Sequence, residues 1–392
     1  MSWFVPGRLE VLGKHTDYAG GKSLLAAIDR GVTATIQPAR EGITATTTAV
    51  PGIVNADGTD SLPAGHWGNY VRTVVERLQA NFGSLQPAHI EVDSTLPLAS
   101  GMSSSSALMV AIALSLIDEN HLRDSAQWQE NIGDNIDLAG YLSTIENGLS
   151  FKGLAGQRGV GTFGGSEDHT AMLHAQPGRI SEFSFCPIRE ESQVDFPDNW
   201  SFVIAMSGVP AEKTGAAREA YNRASAQAAE LVTLWNRDTG AVEHYLADIL
   251  ATGEQARNHL TKLAEAAGLG SRLQAYLVET EVAIPAALAG LRSDQMDRFG
   301  QAANQSHANA RDVLGNQVPE TNRLQELALE LGAVGSTGFG AGFGGSVWAA
   351  VPSESAPEFS ERWLEAYLGE FPARAEAASV MVGRPGSPAH RL

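Results

Sequence analysis

The sequence predicts an α+β fold in two domains. Three observations carry this. Short strand-like segments occupy both ends of the chain, a mainly helical stretch fills about 212 to 333, and Pro187, Pro197 and several acidic residues interrupt the pattern near 190–200. The expected domains are 1–195 and 196–392.

Taken in order, Trp3 to Leu12 reads as two short strands with a turn at Pro6-Gly7. His15 to Lys22 is a loop punctuated by Gly20-Gly21. Thr, Val, Ile and Ala alternate strand-fashion over about 24–37. The 69–79 stretch has apolar residues at Tyr70, Val71, Val74, Val75 and Leu78, the spacing of a helix face. His89 to Val92 is a strand, followed by a Gly/Ser turn and an apolar helix over 107–117. More helix is expected over about 125–147. Seven glycines between Gly148 and Gly165 predict a loop there. Ser201 to Met206, Val347 to Val351 and Ala378 to Val382 read as strands.

The net charge of −18 argues against nucleic acid or an anionic membrane surface as partner. A single cysteine, Cys186, excludes an internal disulfide and a cysteine-built zinc site. No apolar run reaches membrane-spanning length and no leader peptide is evident, so the expected location is cytoplasmic. A monomer or weak dimer is expected.

The first chemical signal is the run Ser100-Gly101-Met102-Ser103-Ser104-Ser105-Ser106 between a strand and a helix. A helix N-terminus presents unpaired N–H groups and the positive end of a dipole, and glycine lets backbone approach an anion. One serine would serve as a cap. Four in a row exceed that need and point to phosphate. Neither a P-loop nor a dinucleotide fold fits. The position for the first P-loop glycine before Gly21-Lys22-Ser23 is Thr16, and Gly340 to Gly345 follows a helix and precedes a strand.

Three ordered motifs together carry a family resemblance. Gly7-Arg8-Leu9-Glu10-Val11-Leu12-Gly13-Lys14-His15-Thr16-Asp17-Tyr18, the serine run, and Gly340 to Ser346 resemble the galactokinase branch of the GHMP kinases. The resemblance implies an N-terminal mixed α/β domain (ribosomal protein S5 domain 2-like), a C-terminal ferredoxin-like domain and an active site in the cleft between. It implies a sugar kinase using ATP and Mg2+, with phosphate going to the anomeric C1 hydroxyl.

By the same resemblance Asp168 is the base, with Glu167 as fallback, and Arg8 faces it. Gly101, Ser103, Ser104, Ser105 and Ser106, with Ser100 and Trp67, are expected on the nucleotide. Ser105 and Glu146 are expected on the metal, and Lys14, His15, Asp17, Gly165 and Tyr221 on the sugar. Departures are Glu10, Lys14, His169 and Ser346, where the family carries Asn, Glu, Gln and Cys. Lys14 raises the expectation of an anionic sugar such as galacturonate, beside plain galactose. The glycine-rich 151–161 stretch, an addition to the family spacing, is a candidate lid. A non-catalytic sugar sensor and a kinase of a non-sugar molecule are the competing readings.

Overall fold

The computed structural model describes all residues except 59–61, 64, 98–100 and 211–214, and the side chains of 215–217 as well are outside the description. Its first sheet holds β1 (Ser2–Leu12), β2 (Lys22–Pro38), β3 (Ile43–Thr47), β4 (Val54–Asn55), β5 (Ala88–Ser94), β6 (Arg179–Ser184) and β7 (Arg189–Asp195). The second holds β8 (Trp200–Met206), β9 (Gly335–Gly338), β10 (Ser346–Pro352) and β11 (Ser379–Gly383). The last strand, β12 (His390–Arg391), pairs with β1.

The expected turn at Pro6-Gly7 is not a strand break. β1 runs through it with a register shift between Pro6 and Arg8. Gly31 lies opposite, and a Cβ there would meet Val5 O at 2.2 Å. The missing side chain lets the two backbones close up around the irregularity. A second shift lies between Glu10 and Leu12. Between the shifts, Arg8 and Glu10 are two apart and share one face of the strand.

The helix Ser104–Glu119 is apolar nearly all round, as buried helices are. It packs on β1 and β2 and on the helices Gly68–Phe82, Asn135–Asn147 and Glu167–His174. The last of these and β6 lie between the expected glycine-rich loop and the boundary near 190–200, where the sequence predicts no element, and β7 overlaps that boundary. The eight residues of the helix are too few for periodicity to register.

The second sheet is fully antiparallel, in the order β11-β8-β10-β9. Numbered by chain order that is 4-1-3-2, the ferredoxin-like arrangement. The helical excursion separates the first two of its strands, and the helix Ala356–Glu370 separates the last two.

The expected division at 195/196 falls between β7 and β8, which belong to different sheets. β12 departs from it by returning to the first sheet. One apolar cluster also runs across the division, joining Val11 and Ile28 to Phe202, Phe299 and Trp348. Trp348 Nε1 donates to Val11 O at 3.2 Å. No helix among the described residues is long and apolar enough to cross a membrane.

Candidate active site

A cavity opens where β1, the glycine-rich turn at 340–345 and the helices Asn135–Asn147 and Glu167–His174 meet. Arg8, Glu10, His15, Asp17, Glu146, Gly165, Asp168 and Tyr221 are in its wall.

Arg8 is the hub. Its Nε donates to Asp168 Oδ1 at 2.7 Å and lies 3.4 Å from Glu167 Oε1, while an outer nitrogen donates to Gly101 O at 3.2 Å. Burial alone would weaken the charged form. Asp168, Glu167 and Glu10 outweigh it and raise the Arg8 pKa. The guanidinium therefore stays charged while buried. Gly340 allows the turn above it: φ is +76°, and a Cβ would stand 2.9 Å from Gly101 O. Arg8 thus ties together β1, the serine turn and the acid at the head of Glu167–His174.

Ser106 Oγ donates to Glu146 Oε2 at 2.7 Å and stands 3.3 Å from Asp168 Oδ2. The serine expected on the metal is Ser105, whereas the one bonded to Glu146 is Ser106. A helix turns about 100° per residue, so in a run of four serines only one phase meets Glu146, and it is Ser106. Ser103 enters the helix with φ of +58°, and Ser104 and Ser105 are half-buried on its first turn. Ser100 lies outside the described residues. Trp67 is not brought to this cavity. It stacks on His66 and packs against the core beside Gly68–Phe82.

Among the described residues there is no group of three His, Cys, Asp or Glu side chains suited to a metal. The Ser106 hydroxyl and Glu146 carboxylate do form an all-oxygen pair. That donor set fits Mg2+, which binds few protein ligands and completes its shell with water and phosphate oxygens.

The sugar-side residues divide. Asp17 accepts the Tyr18 backbone N–H at Oδ1 (2.8 Å) and that of Glu167 at Oδ2 (3.3 Å). Gly165 makes room for it, since a Cβ there would sit 2.4 Å from Asp17 Oδ2. Gly164 does the same for the Tyr221 hydroxyl, at 2.8 Å. Burial, reinforced by Asp17, raises the Tyr221 pKa well above its ordinary value, so the phenol keeps its proton.

His15 lines the cavity, yet both ring nitrogens are engaged within the protein. Nε2 faces Ala341 O at 3.0 Å and Nδ1 faces Tyr18 Oη at 2.8 Å. A carbonyl only accepts, so Nε2 carries the proton and Nδ1 accepts from the phenol. Burial lowers the ring pKa to about 4, leaving it neutral at pH 7. His15, expected on the sugar, also clamps the β1 loop to the 340–345 turn.

Lys14 is also expected on the sugar. Its side chain is buried away from the cavity, with Nζ 2.6 Å from Ser306 Oγ and 3.8 Å from Glu279 Oε1. Glu279 also accepts the backbone N–H of Gly13 at 2.8 Å. A buried ammonium needs a counter-charge, and the Glu279 carboxylate draws Lys14 out of the site. The glycine-rich stretch named as a candidate lid is tied down in this structure. Gly153 N–H donates to Asn131, Asn81 to Ala155 O, and Val160 N–H to Glu146 O, which pin it to the helices beneath. Thr162, just beyond it, donates to Glu146 Oε1 at 3.2 Å.

Sequence reasoning passed over Glu10 as a site residue. It is buried, lines the cavity, and has an oxygen that no donor of the chain reaches. The signal was the strand period: residue 10 shares the face of Arg8.

Residues 1–38 match the "Galactokinase galactose-binding signature", 69–149 the "GHMP kinases N terminal domain" and 287–368 the "GHMP kinases C terminal" model. A galactokinase of Roseiflexus sp. (strain RS-1) is 27% identical over 367 residues, covering 92% of this chain and 86% of that protein. One from Thermococcus kodakarensis is 24% identical, covering 98% of both. The crystal structure of Lactococcus lactis galactokinase complexed with galactose superposes with a TM-score of 0.82 at 22% identity, covering 100% of this chain and 95% of that one. Methanococcus jannaschii mevalonate kinase follows at 0.60 and 15%, covering 99% and 98%.

Proposed function

Because the chain belongs to the GHMP kinase family, we propose that it is an ATP-dependent sugar kinase that phosphorylates the anomeric hydroxyl of galactose or a closely related neutral monosaccharide. The carrying observation is the convergence of Arg8, Asp168, Ser106 and Glu146 in the cavity wall. Phosphoryl transfer is mainly a matter of positioning and of neutralising charge.

Asp168 is the acceptor for the sugar proton. Arg8 holds its Oδ1, and the same guanidinium stabilises charge on the moving phosphoryl group. The serine turn receives the nucleotide phosphates through backbone N–H groups at the head of Ser104–Glu119. Ser106 and Glu146 hold Mg2+, which neutralises phosphate charge when bound. Asp17 and Tyr221 position the sugar. Neutral sugars are favoured because the wall carries Glu10, Asp17, Glu146, Glu167 and Asp168 against Arg8, while Lys14 is withdrawn to Glu279. The ground for an anionic C6 group goes with it.

The test is a coupled ADP-release assay with ATP and Mg2+ over galactose, galacturonate, glucuronate and arabinose, with the product position read by NMR. Galactose or another neutral sugar is expected to turn over and galacturonate to fail. Asp168→Asn should lose about 100-fold or more in kcat with its melting curve preserved. Binding of sugar and nucleotide without turnover would establish the sensor reading instead.

A further inference from the structure

Glu10 is buried, with 2% of its surface exposed, and lies in the cavity wall. No N–H or O–H of the chain reaches its Oε1. An unsatisfied buried carboxyl oxygen is costly, so such atoms call for an explanation. Among the described residues the one group that can answer Glu10 is the neighbouring Glu167 carboxyl, which hydrogen-bonds to it when the pair holds a proton. Arg8 on the same strand face is committed to Asp168 and Gly101. Lys14 is drawn to Ser306 and Glu279. The neighbouring Glu167 carboxyl already accepts from Ser23 Oγ at 2.9 Å and has no hydrogen of its own unless protonated.

We propose that Glu10 is a specificity-determining residue: its free oxygen accepts a hydrogen bond from one hydroxyl of the sugar while Asp168 faces the hydroxyl that is phosphorylated. This rests on the sugar-kinase reading and deepens it.

The placement supports the pairing of roles. Residues two apart on a strand are separated by roughly 7 Å, a span comparable to a monosaccharide. Arg8 fixes Asp168 at one end of that span, and Glu10 occupies the other. The chemistry is selective in two ways. A carboxyl oxygen rewards a hydroxyl donor and leaves a deoxygenated position unrewarded. It also repels a substrate carboxylate. Burial raises the Glu10 pKa, with Glu279 acting in the same sense and Arg8 and Lys14 opposing. Glu167 is close enough to share a proton with it. In either protonation state an oxygen lone pair is available to the sugar.

The experiment is a substrate–residue double-mutant cycle. The wild type, Glu10→Leu and Glu10→Gln are assayed with ATP and Mg2+ on galactose and on its 2-, 3-, 4- and 6-deoxy analogues. The wild type should lose about 10- to 100-fold in kcat/KM on one analogue. Glu10→Leu should lose a similar factor on galactose and little further on that same analogue, while Glu10→Gln, which keeps an acceptor, retains most of the activity. An equal loss on every sugar would show that Glu10 acts only by supporting Arg8, and would overturn the proposal. So would full activity of Glu10→Leu. If Glu10→Leu melts early, the cycle run with Glu10→Asn, whose shorter side chain withdraws the acceptor, decides between the same outcomes. Failure of the wild type to phosphorylate any sugar is a distinct result, visible before any variant is made, and it defeats the kinase reading together with this one.

Discussion

Gly165 needs no unusual backbone conformation, yet it tolerates no side chain, because Asp17 Oδ2 fills the place of its Cβ at 2.4 Å. Gly165→Ala must therefore push Asp17 out of the wall. Overpacking of this kind costs about 1–3 kcal/mol. Here it should be read mainly in the sugar KM, with a modest fall in melting temperature. An unchanged KM would mean that Asp17 does not hold the sugar. Ser106 offers a sharper contrast with its neighbour. Ser106→Ala removes the hydroxyl beside Glu146 and should raise the Mg2+ concentration for half-maximal rate about tenfold or more, whereas Ser105→Ala should change it little. Equal effects of the two would place the metal elsewhere. The polyserine turn was legible in the sequence because its chemistry is local, and the paired glycines and Asp168 were legible through the family resemblance. Which of four serines meets Glu146 was not, because that depends on the phase of a helix entered through Ser103 at positive φ.

The loop after β1 shows how an element can read correctly in pattern and differently in use. Its order of residues identified the family branch, but Lys14 and His15 also hold the loop. Glu279, which holds it from the other domain, lies 266 residues beyond Gly13 in the chain and carries no motif. It sits in a stretch of π-helix, Val278–Ala283, where the widened turn redirects side chains. One oxygen of Glu279 takes the Gly13 N–H and the Ser306 hydroxyl, with Lys14 close by. Cutting one partner from such a buried pair costs about 3–5 kcal/mol, since the other charge is stranded. Lys14→Met and Glu279→Gln should each lower the unfolding free energy read from denaturant titration by an amount in that range. The double variant should lose less than the sum of the two. Additive losses in the cycle would show that the pair is not coupled. The helix Glu167–His174 stayed hidden for a different reason. It is short, and its first turn is made of the acids Glu167 and Asp168 rather than of an apolar stripe.

Across the whole molecule, buried titratable groups pull stability in opposite directions as pH changes. Burial raises the pKa of Glu10 and of Glu167, so their contribution is present below about 4.5, the ordinary value, and is lost as pH rises through the raised ones. The histidines run the other way. Burial lowers His15 to about 4, and burial with Lys14 lowers His307 to about 3. Their contribution is present above the ordinary 6.5 and is lost as pH falls toward those values. His15 sits at the junction between the two sheets' territories, and His307 lies where the helix Met296–Asn309 packs on β9. His15 bridges to Ala341 O, and His307 Nδ1 accepts the N–H of Gly338 at 3.1 Å. Protonating His307 turns that acceptor into a donor facing an N–H. Each histidine contributes a slope of up to about 1.4 kcal/mol per pH unit across its window. Acid unfolding should therefore steepen below pH 6.5 although the two carboxyls oppose it there. Denaturant titrations at pH 7.5, 6, 5 and 4.5 measure this slope directly. His307→Gln, which keeps an acceptor for Gly338 without a titrating ring, should flatten it by about one histidine's share. If the variant follows the wild-type slope throughout, His307 is not the group that binds the proton, and the junction it holds is insensitive to acid.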